Sequence, residues 1–312
     1  MYESAVRQRI HADKSLSTDG HAFTKSPSSS NTIVYVEWQK DNEYIVSGYR
    51  RIQYCWKGCL QSVYGYLHNE TGNIHTHLWG GVLFVYVLVT VKPTQLTPYE
   101  TTWMDSAMFS VFFASAIFCL FCSAIFHTSM CHSREVRRRC HAFDYVGIMV
   151  LNLGSHFPLL YYGYFCEPFF QIFYISAITI ANGAAAFVVL DEEYSKPTHR
   201  GARTVVFLSL GLAAAIPVCH WLFVHGISKT LTDMGVKWFL LSGSFYIGGS
   251  LLYANRIPER FSPGTFDYFL HSHQIFHVCV VLGAYLHYVF ISIALDHSYS
   301  LSECRLQHST AP

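Results

Sequence analysis

Three short segments of the chain concentrate histidine, aspartate and serine beside long apolar runs. They cover residues 123–133, 141–145 and 271–277. Ionisable side chains are costly inside a membrane, so these segments are candidates for a functional site. His273 and His277 are four residues apart, which places both imidazoles on one face of a helix, about one turn apart. This spacing lets two side chains bind one metal ion.

A third imidazole, from His127, would complete a three-histidine site. Three histidines leave the fourth position of a tetrahedral zinc ion for water, as in catalytic zinc sites. Asp144 would hold or deprotonate that water, or orient a histidine. Ser123, four residues before His127, would donate a hydrogen bond to a polarised carbonyl oxygen. The pattern therefore predicts Zn²⁺ as the cofactor, with Asp144 and Ser123 beside it.

A structural interpretation of the histidines is also open. A histidine near a helix end usually contacts interfacial water or a backbone carbonyl, and 18 histidines produce chance pairs four residues apart. The convergence of three histidines and one aspartate on one membrane face favours the metal site. His132 and His271 lie nearer to the loops and are interpreted as interfacial residues, with a role as alternative ligands left open.

The elements that must position these residues are membrane-spanning helices. Of the 312 residues 51% are hydrophobic and only 13% are charged, a charged fraction well below that of soluble domains. Apolar runs long enough to cross about 30 Å of hydrocarbon recur along the chain. The predicted fold is all-α, a polytopic bundle of seven transmembrane helices, with spans at 78–91, 104–126, 143–164, 169–190, 204–224, 238–254 and 269–295.

The flanking segments have a different composition. Residues 1–32 are polar and are predicted to form a disordered cytosolic tail without a signal peptide. Residues 33–76 mix aromatic and basic side chains and are predicted to be amphipathic and interfacial. Residues 77–296 then form the zinc-binding seven-helix domain, and 297–312 a short tail outside.

The distribution of lysine and arginine predicts the orientation, because these residues collect on the cytosolic side. With the N-terminus inside and the C-terminus outside, all but four of the 21 basic residues are cytosolic; the exceptions are Lys92, Lys229, Lys237 and Arg305. The second span then ends, and the third and seventh begin, at the cytosolic face. The three segments that carry His127, Asp144 and the His273/His277 pair therefore meet.

Other features of the sequence bear on partners, on a possible disulfide and on the loops. The formal net charge of +1 argues against nucleic acid as a partner. Cys166 and Cys304 are both outside on this topology and can pair, which sequence does not decide.

The segment 69–73, with Glu70 and Asn73, is interpreted as a polar turn and helix cap. The segment 256–267 is interpreted as a loop pinned by ion pairs.

Four stretches carry a resemblance to a known family. They are N-E-T-G-N-I-H-T-H-L-W-G at 69–80, S-x-x-x-H within 123–133, F-D-Y-x-G-I at 143–148, and I-P-E-R-F-x-P-G-x-F-D with S-H-Q-I-F-H within 257–277. In this order they resemble the progestin and adiponectin Q receptor family, which is related to haemolysin III. The match covers about residues 50–290. It is most like the adiponectin-receptor branch and its fungal relatives, so a fungal source is expected.

The resemblance implies a site. The family's zinc ligands fall on His127, His273 and His277, its acidic residue on Asp144 and its motif serine on Ser123. The adiponectin-receptor branch is associated with ceramidase activity, so the resemblance implies hydrolysis of a ceramide amide. Two residues depart from the family: His271 where relatives have an uncharged residue, and His156 where an apolar residue is usual.

Three functions remain as hypotheses. The first is a zinc-dependent amidase acting on ceramide-like membrane lipids, in lipid and zinc homeostasis signalling. The second is a receptor for an extracellular protein or steroid-like ligand, with a structural zinc. A channel or carrier is disfavoured because no span shows a broken helix with midplane charges; Pro217 and His220 come nearest. A homo-oligomer, and a plasma-membrane or endomembrane location, are left open.

Overall fold

The computed structural model describes residues 37–99, 101–191 and 197–301. Over these residues the chain is helical and has no β-strand, which confirms the all-α fold class. The α-helices are α1 Trp56–Gly65, α2 Thr71–Val91, α3 Trp103–Ser129, α4 Arg134–Gly163, α5 Pro168–Val189, α6 Arg200–Leu212, α7 Ala215–His225, α8 Ile227–Thr232, α9 Val236–Asn255 and α10 Ser272–Ser300. The tail predicted at 1–32 lies outside the described residues.

Five helical stretches are long and apolar enough to cross a membrane: α2, α3, α5, α6 with α7, and α10. Large apolar side chains face outward from them, Phe187 with 86% and Phe223 with 91% of its surface exposed. Such surfaces require a lipid environment. The chain is therefore a multi-pass integral membrane protein. Helices α4 and α9 coincide with the two remaining predicted spans, and the count of seven, the orientation and the domain boundaries stay predictions.

Close approach of α3 and α4 places the candidate site residues side by side. A Cβ atom on Gly147 would lie 2.9 Å from the Cα atom of Cys119, and one on Gly154 would lie 2.3 Å from Ser115 Oγ. Only glycine leaves room for this contact, as at many helix interfaces in membranes. The result is that the α4 residue Asp144 packs beside Ser123 on α3.

The segment before α2 covers the ends of the helices that carry the candidate site. The guanidinium group of Arg50 donates hydrogen bonds to the backbone carbonyls of His127 and Thr128, and Cys59 Sγ lies 3.5 Å from Cys131 Sγ. Leu60, on the other face of α1, is exposed. An outward apolar face with buried polar anchors is the arrangement expected of an interfacial helix.

The fifth predicted span is broken, which differs from the expectation of an uninterrupted helix. α6 ends at Leu212 and α7 begins at Ala215. Pro217 has no N–H with which to bond the Ala213 carbonyl, and that carbonyl accepts a bond from Ile216 N at 3.2 Å instead. The break lies near His220, but that residue is enclosed by tyrosines.

A disulfide is present at the end of the bundle opposite the histidine segments. Cys166, after α4, is disulfide-bonded, whereas cysteines in the other half, such as Cys59 and Cys131, are free thiols. Cys304, the partner considered from sequence, lies outside the described residues. A disulfide at this end agrees with the predicted orientation because disulfides form in oxidising compartments.

Candidate metal centre

Three histidines from two helices converge at one end of the bundle. His127 lies in the last turn of α3, and His273 and His277 lie on one face of the first turns of α10. One ligand atom from each lies within 4.8 Å of the others, and His127 and His277 are only 1% and 2% exposed. The structure thus brings together the three residues that spacing predicted as ligands.

The imidazole of His127 is oriented by a carboxylate. Its Nδ1 lies 2.7 Å from Glu70 Oε2, which also accepts a bond of 2.7 Å from Asn73 Nδ2. The ring nitrogen beside the carboxylate carries the proton, so Nε2 has a free lone pair. Nε2 is buried and has no hydrogen-bond partner. A buried unpartnered nitrogen is a candidate ligand atom.

His277 is oriented in the same way by the backbone. Its Nδ1 lies 3.1 Å from the carbonyl oxygen of Asn73, which again leaves the Nε2 lone pair for a ligand. Metal-binding histidines almost always donate their other ring N–H to a carboxylate or a carbonyl. Zinc–nitrogen bonds of about 2.0–2.1 Å place the ligand atoms of a tetrahedral ion about 3.4 Å apart. The three ligand atoms lie within 4.8 Å of one another and would have to move closer together, and three imidazoles with an unpartnered Nε2 among them are a donor set that suits zinc.

Asp144 and Ser123 lie on the wall of the same site. The carboxylate of Asp144 is buried, and the Ser123 side chain lies next to it. Both residues and the three histidines line one cavity. All five predicted site residues are therefore neighbours, and the catalytic roles of Asp144 and Ser123 stay predictions.

Sequence reasoning missed two residues of the site. Glu70 directly precedes the start of α2, as the turn-and-cap interpretation requires, but its side chain also holds His127. His77 stacks on His277 with ring centroids 3.7 Å apart, and both its ring nitrogens are buried without a partner. Glu70, Asn73 and His77 follow the i, i+3, i+7 spacing of one helical face. This spacing is the feature of the sequence from which Glu70 and His77 could have been predicted to face the site.

The two histidines interpreted as interfacial lie off the cluster. The Nε2 atom of His271 lies 3.1 Å from the carbonyl oxygen of Asn69, and the ring of His132 packs on Trp56 with centroids 5.3 Å apart. Neither belongs to the group that could hold a metal ion.

The loop between α9 and α10 positions the histidine helix. Glu259 is buried, and its carboxylate accepts hydrogen bonds from the Ser272 backbone N–H, at 2.7 Å, and from the Ser272 hydroxyl. A carboxylate at a helix N-terminus satisfies free N–H groups and the helix dipole. Asp267 accepts a bond of 3.0 Å from the backbone N–H of Val46, which ties the loop to the covering segment. These contacts hold the turn that carries His273.

The site opens into a cavity of about 770 Å³. The metal-site histidines lie at one end, and Val218, Phe239 and Val280 contribute apolar walls further along. At the cytosolic end on the predicted topology, Asp41 lies at the wall and forms an ion pair of 2.9 Å with Arg200. Burial opposes ionisation of Asp41, but Arg200 and other arginines hold its pKa below the usual value. The cavity therefore joins a charged mouth to an apolar interior.

Comparison with known proteins agrees with this architecture. The model of the haemolysin-III-related family matches residues 65–288. The adiponectin receptor protein of Drosophila melanogaster is 37% identical over 268 residues, covering 86% of this chain and 60% of its own length. The progestin and adipoQ receptor-like protein 1 of Caenorhabditis elegans is 38% identical over 258 residues, covering 82% and 58%.

A fungal relative matches along more of its length. The ADIPOR-like receptor IZH2 of Saccharomyces cerevisiae is 36% identical over 273 residues, covering 87% of this chain and 84% of the relative. The chain spans about 60% of the fly and nematode relatives, so the activities of those whole proteins are not transferred to it. The family match and the yeast relative together show that this chain belongs to the haemolysin-III-related family, that of the adiponectin-receptor-like membrane proteins.

Proposed function

We propose that this protein is a zinc-dependent amidase that hydrolyses ceramide-like lipids within the membrane. One observation carries the proposal: the three-histidine cluster, with Asp144 and Ser123 beside it, opens into a largely apolar cavity of about 770 Å³. That volume is within the range of lipid and ligand pockets. A substrate with a polar amide and long chains matches both parts of the cavity.

The chain would hold zinc through His127, His273 and His277. When bound there, zinc supplies a Lewis acid that activates water and polarises a carbonyl oxygen. Glu70 and the Asn73 carbonyl hold two of the rings through Nδ1, so their Nε2 lone pairs would be available to the ion. The protein would thereby supply three imidazole donors, two of them oriented by these hydrogen bonds.

Asp144 would transfer the proton, and Ser123 would stabilise the negative charge that develops on the carbonyl oxygen. The Asp144 carboxylate would accept a proton from water and deliver it to the amide nitrogen as the amine leaves. The Ser123 hydroxyl, which lies beside Asp144, would donate to the carbonyl oxygen of a bound amide. Burial of both groups would strengthen these interactions because the local dielectric constant is low.

A receptor with a structural zinc is the second candidate. The fly and yeast relatives are both named as receptors. Structural zinc sites usually have four protein ligands, and among the described residues the cluster has three histidines. The ligand count therefore favours the amidase, and activity and receptor function can coexist on one chain.

The test is metal content and fatty acid release from ceramide by the purified protein in lipid nanodiscs. We expect about one zinc per chain in the native protein and almost none in His273→Ala. Asp144→Ala should keep its zinc and lose activity by at least about 100-fold, as for a general base. His132→Ala, which changes a histidine outside the cluster, should behave like the native protein.

The outcomes separate the hypotheses. Zinc bound without any amide cleavage would support the receptor with a structural metal and contradict the amidase. A native protein without zinc would contradict both. Full activity in Asp144→Ala would leave zinc catalysis standing and remove Asp144 from the mechanism.

A further inference from the structure

A second group of polar side chains lies deep in the bundle, away from the metal centre. Its central member is His156, twelve residues beyond Asp144 on α4 and therefore about 18 Å further along the helix axis. His287 on α10 is ten residues beyond His277, about 15 Å along its axis. Asn152, Ser155, His156 and His287 all line the cavity that the metal centre opens into.

The protonation of His156 follows from its hydrogen bond. Its Nδ1 lies 2.8 Å from the backbone carbonyl oxygen of Asn152, so Nδ1 carries the proton and Nε2 is an acceptor. The residue is only 5% exposed, and Nε2 is buried without a hydrogen-bond partner. His156 therefore lines the cavity and has a buried acceptor nitrogen that no described donor satisfies, at a depth where lipid supplies no donor.

The neighbouring polar groups do not satisfy this acceptor. The Nε2 atom of His287 lies 3.0 Å from the carbonyl oxygen of Ser155, so its N–H is already used. Asn182 Nδ2 donates to Asn152 Oδ1 at 3.2 Å and to the Ile178 carbonyl at 3.0 Å, and Asn182 Oδ1 is buried and unpartnered as well. The N–H groups of His287 and Asn182 are thus bonded, whereas His156 Nε2 and Asn182 Oδ1 are acceptors without a partner.

Such a site selects a ligand by its chemistry. A buried unsatisfied acceptor is costly, and the cost is removed by a ligand that donates a hydrogen bond. A ketone or an ester offers only acceptors and would repel His156 Nε2. A charged amine would be costly to desolvate in the apolar interior. A neutral hydroxyl is the group that fits.

We propose that His156 forms a subsite for a hydroxyl group on the long chain of the lipid bound in the cavity. The inference rests on the proposed function, because the amide at the metal centre sets where the hydroxyl must be. An extended chain covers about 3.5 Å per three bonds, so a distance of about 18 Å places His156 roughly 15 carbons from the amide. The protein would thus favour hydroxylated ceramides over ceramides with plain chains.

The experiment measures binding, which does not depend on cleavage. Two ceramides compete against a fluorescent ceramide for the protein in nanodiscs, and they differ only in a hydroxyl at about carbon 15 of an octadecanoyl chain. We expect the hydroxylated ceramide to bind about tenfold more tightly to the native protein, as expected for one satisfied buried hydrogen bond.

Three variants identify the group responsible. His156→Leu should bind both ceramides equally, at the affinity of the plain one, and His156→Gln should keep part of the preference because its amide oxygen accepts a hydrogen bond. His220→Phe changes a histidine that does not line the cavity and should keep the full preference. If His156→Leu fails to fold, comparison of His156→Gln with the native protein still shows whether the preference for the hydroxylated ceramide depends on residue 156.

Failure of this inference differs from failure of the proposed function. Equal binding of both ceramides to the native protein would overturn the hydroxyl subsite and would indicate that water is the partner of His156. This result would not contradict the amidase proposal. A preference that persists in His156→Leu would also overturn it. A His156-dependent preference without hydrolysis would support the subsite and contradict the amidase. If neither ceramide binds, both proposals fall.

Discussion

The two ends of the helix bundle differ in how completely their buried polar residues are hydrogen-bonded. At the end opposite the histidines, Asp105 is buried and its carboxylate accepts hydrogen bonds from Thr102 N at 2.9 Å, Tyr162 Oη at 3.2 Å and Tyr299 Oη at 3.0 Å. At the histidine end, His127 keeps a buried nitrogen without a partner. At the first end, protein groups satisfy the buried carboxylate, whereas at the second end a nitrogen remains available to a ligand.

The same contrast applies to histidines. The Nδ1 atom of His220 lies 3.2 Å from the hydroxyl of Tyr164 and 3.1 Å from that of Tyr174, and the residue is not part of the cavity wall. His277 has one nitrogen bonded to a carbonyl and lines the cavity. A polar residue in an apolar helix is therefore informative about function when its hydrogen bonds are incomplete. Its mere presence is weaker evidence.

Removal of Asp105 tests whether the closed end is structural. Asp105→Ala leaves the hydroxyls of Tyr162 and Tyr299 without this partner, so we expect a loss of about 3 kcal/mol in the free energy of unfolding. Thermal unfolding in detergent should show a midpoint several degrees lower. Zinc content and ceramide hydrolysis per folded protein should not change. A selective loss of zinc with unchanged stability would contradict the contrast between the two ends.

Removal of the carboxylate behind His127 tests the open end. Glu70→Gln keeps the shape but weakens the hold on His127 Nδ1, and the loss of such a partner typically costs about 10–100-fold in metal affinity. Competition with a chelator for zinc measures this effect. Glu135→Gln, on the exposed first turn of α4, is the matched control and should have no effect. Equal zinc affinity in Glu70→Gln would show that His127 needs no orientation.

A glycine substitution tests whether helix approach positions the site. Gly147→Ala would place a methyl group 2.9 Å from the Cys119 Cα atom, so α3 and α4 must separate near Asp144. We expect a stability loss of about 1–2 kcal/mol and reduced hydrolysis with zinc retained. Gly163→Ala, whose Cβ would meet its nearest atom at 3.6 Å, should be neutral. Unchanged hydrolysis in Gly147→Ala would show that the site tolerates separation of the helices.

Much of the fold follows from local patterns in the sequence. Apolar runs predicted helices at the positions where α2, α3, α4, α5, α9 and α10 lie, because a segment in lipid must satisfy its backbone hydrogen bonds internally. The helix ends were less predictable: α2 begins at Thr71, several residues before the predicted span, since Glu70 and the covering segment stabilise its first turn. The break between α6 and α7 depended on Pro217 and its surroundings, which periodicity alone does not reveal.

The sequence by itself determined the membrane class, the family and the three histidines, because apolar length and a four-residue spacing are local properties. Only the tertiary structure decided which polar groups are satisfied. Glu70 is far from His127 in sequence, and the free nitrogens of His127 and His156 are recognised only once every neighbouring donor has been placed. Hydrogen-bond partners across helices depend on packing, and packing is set by contacts such as that between Gly147 and Cys119.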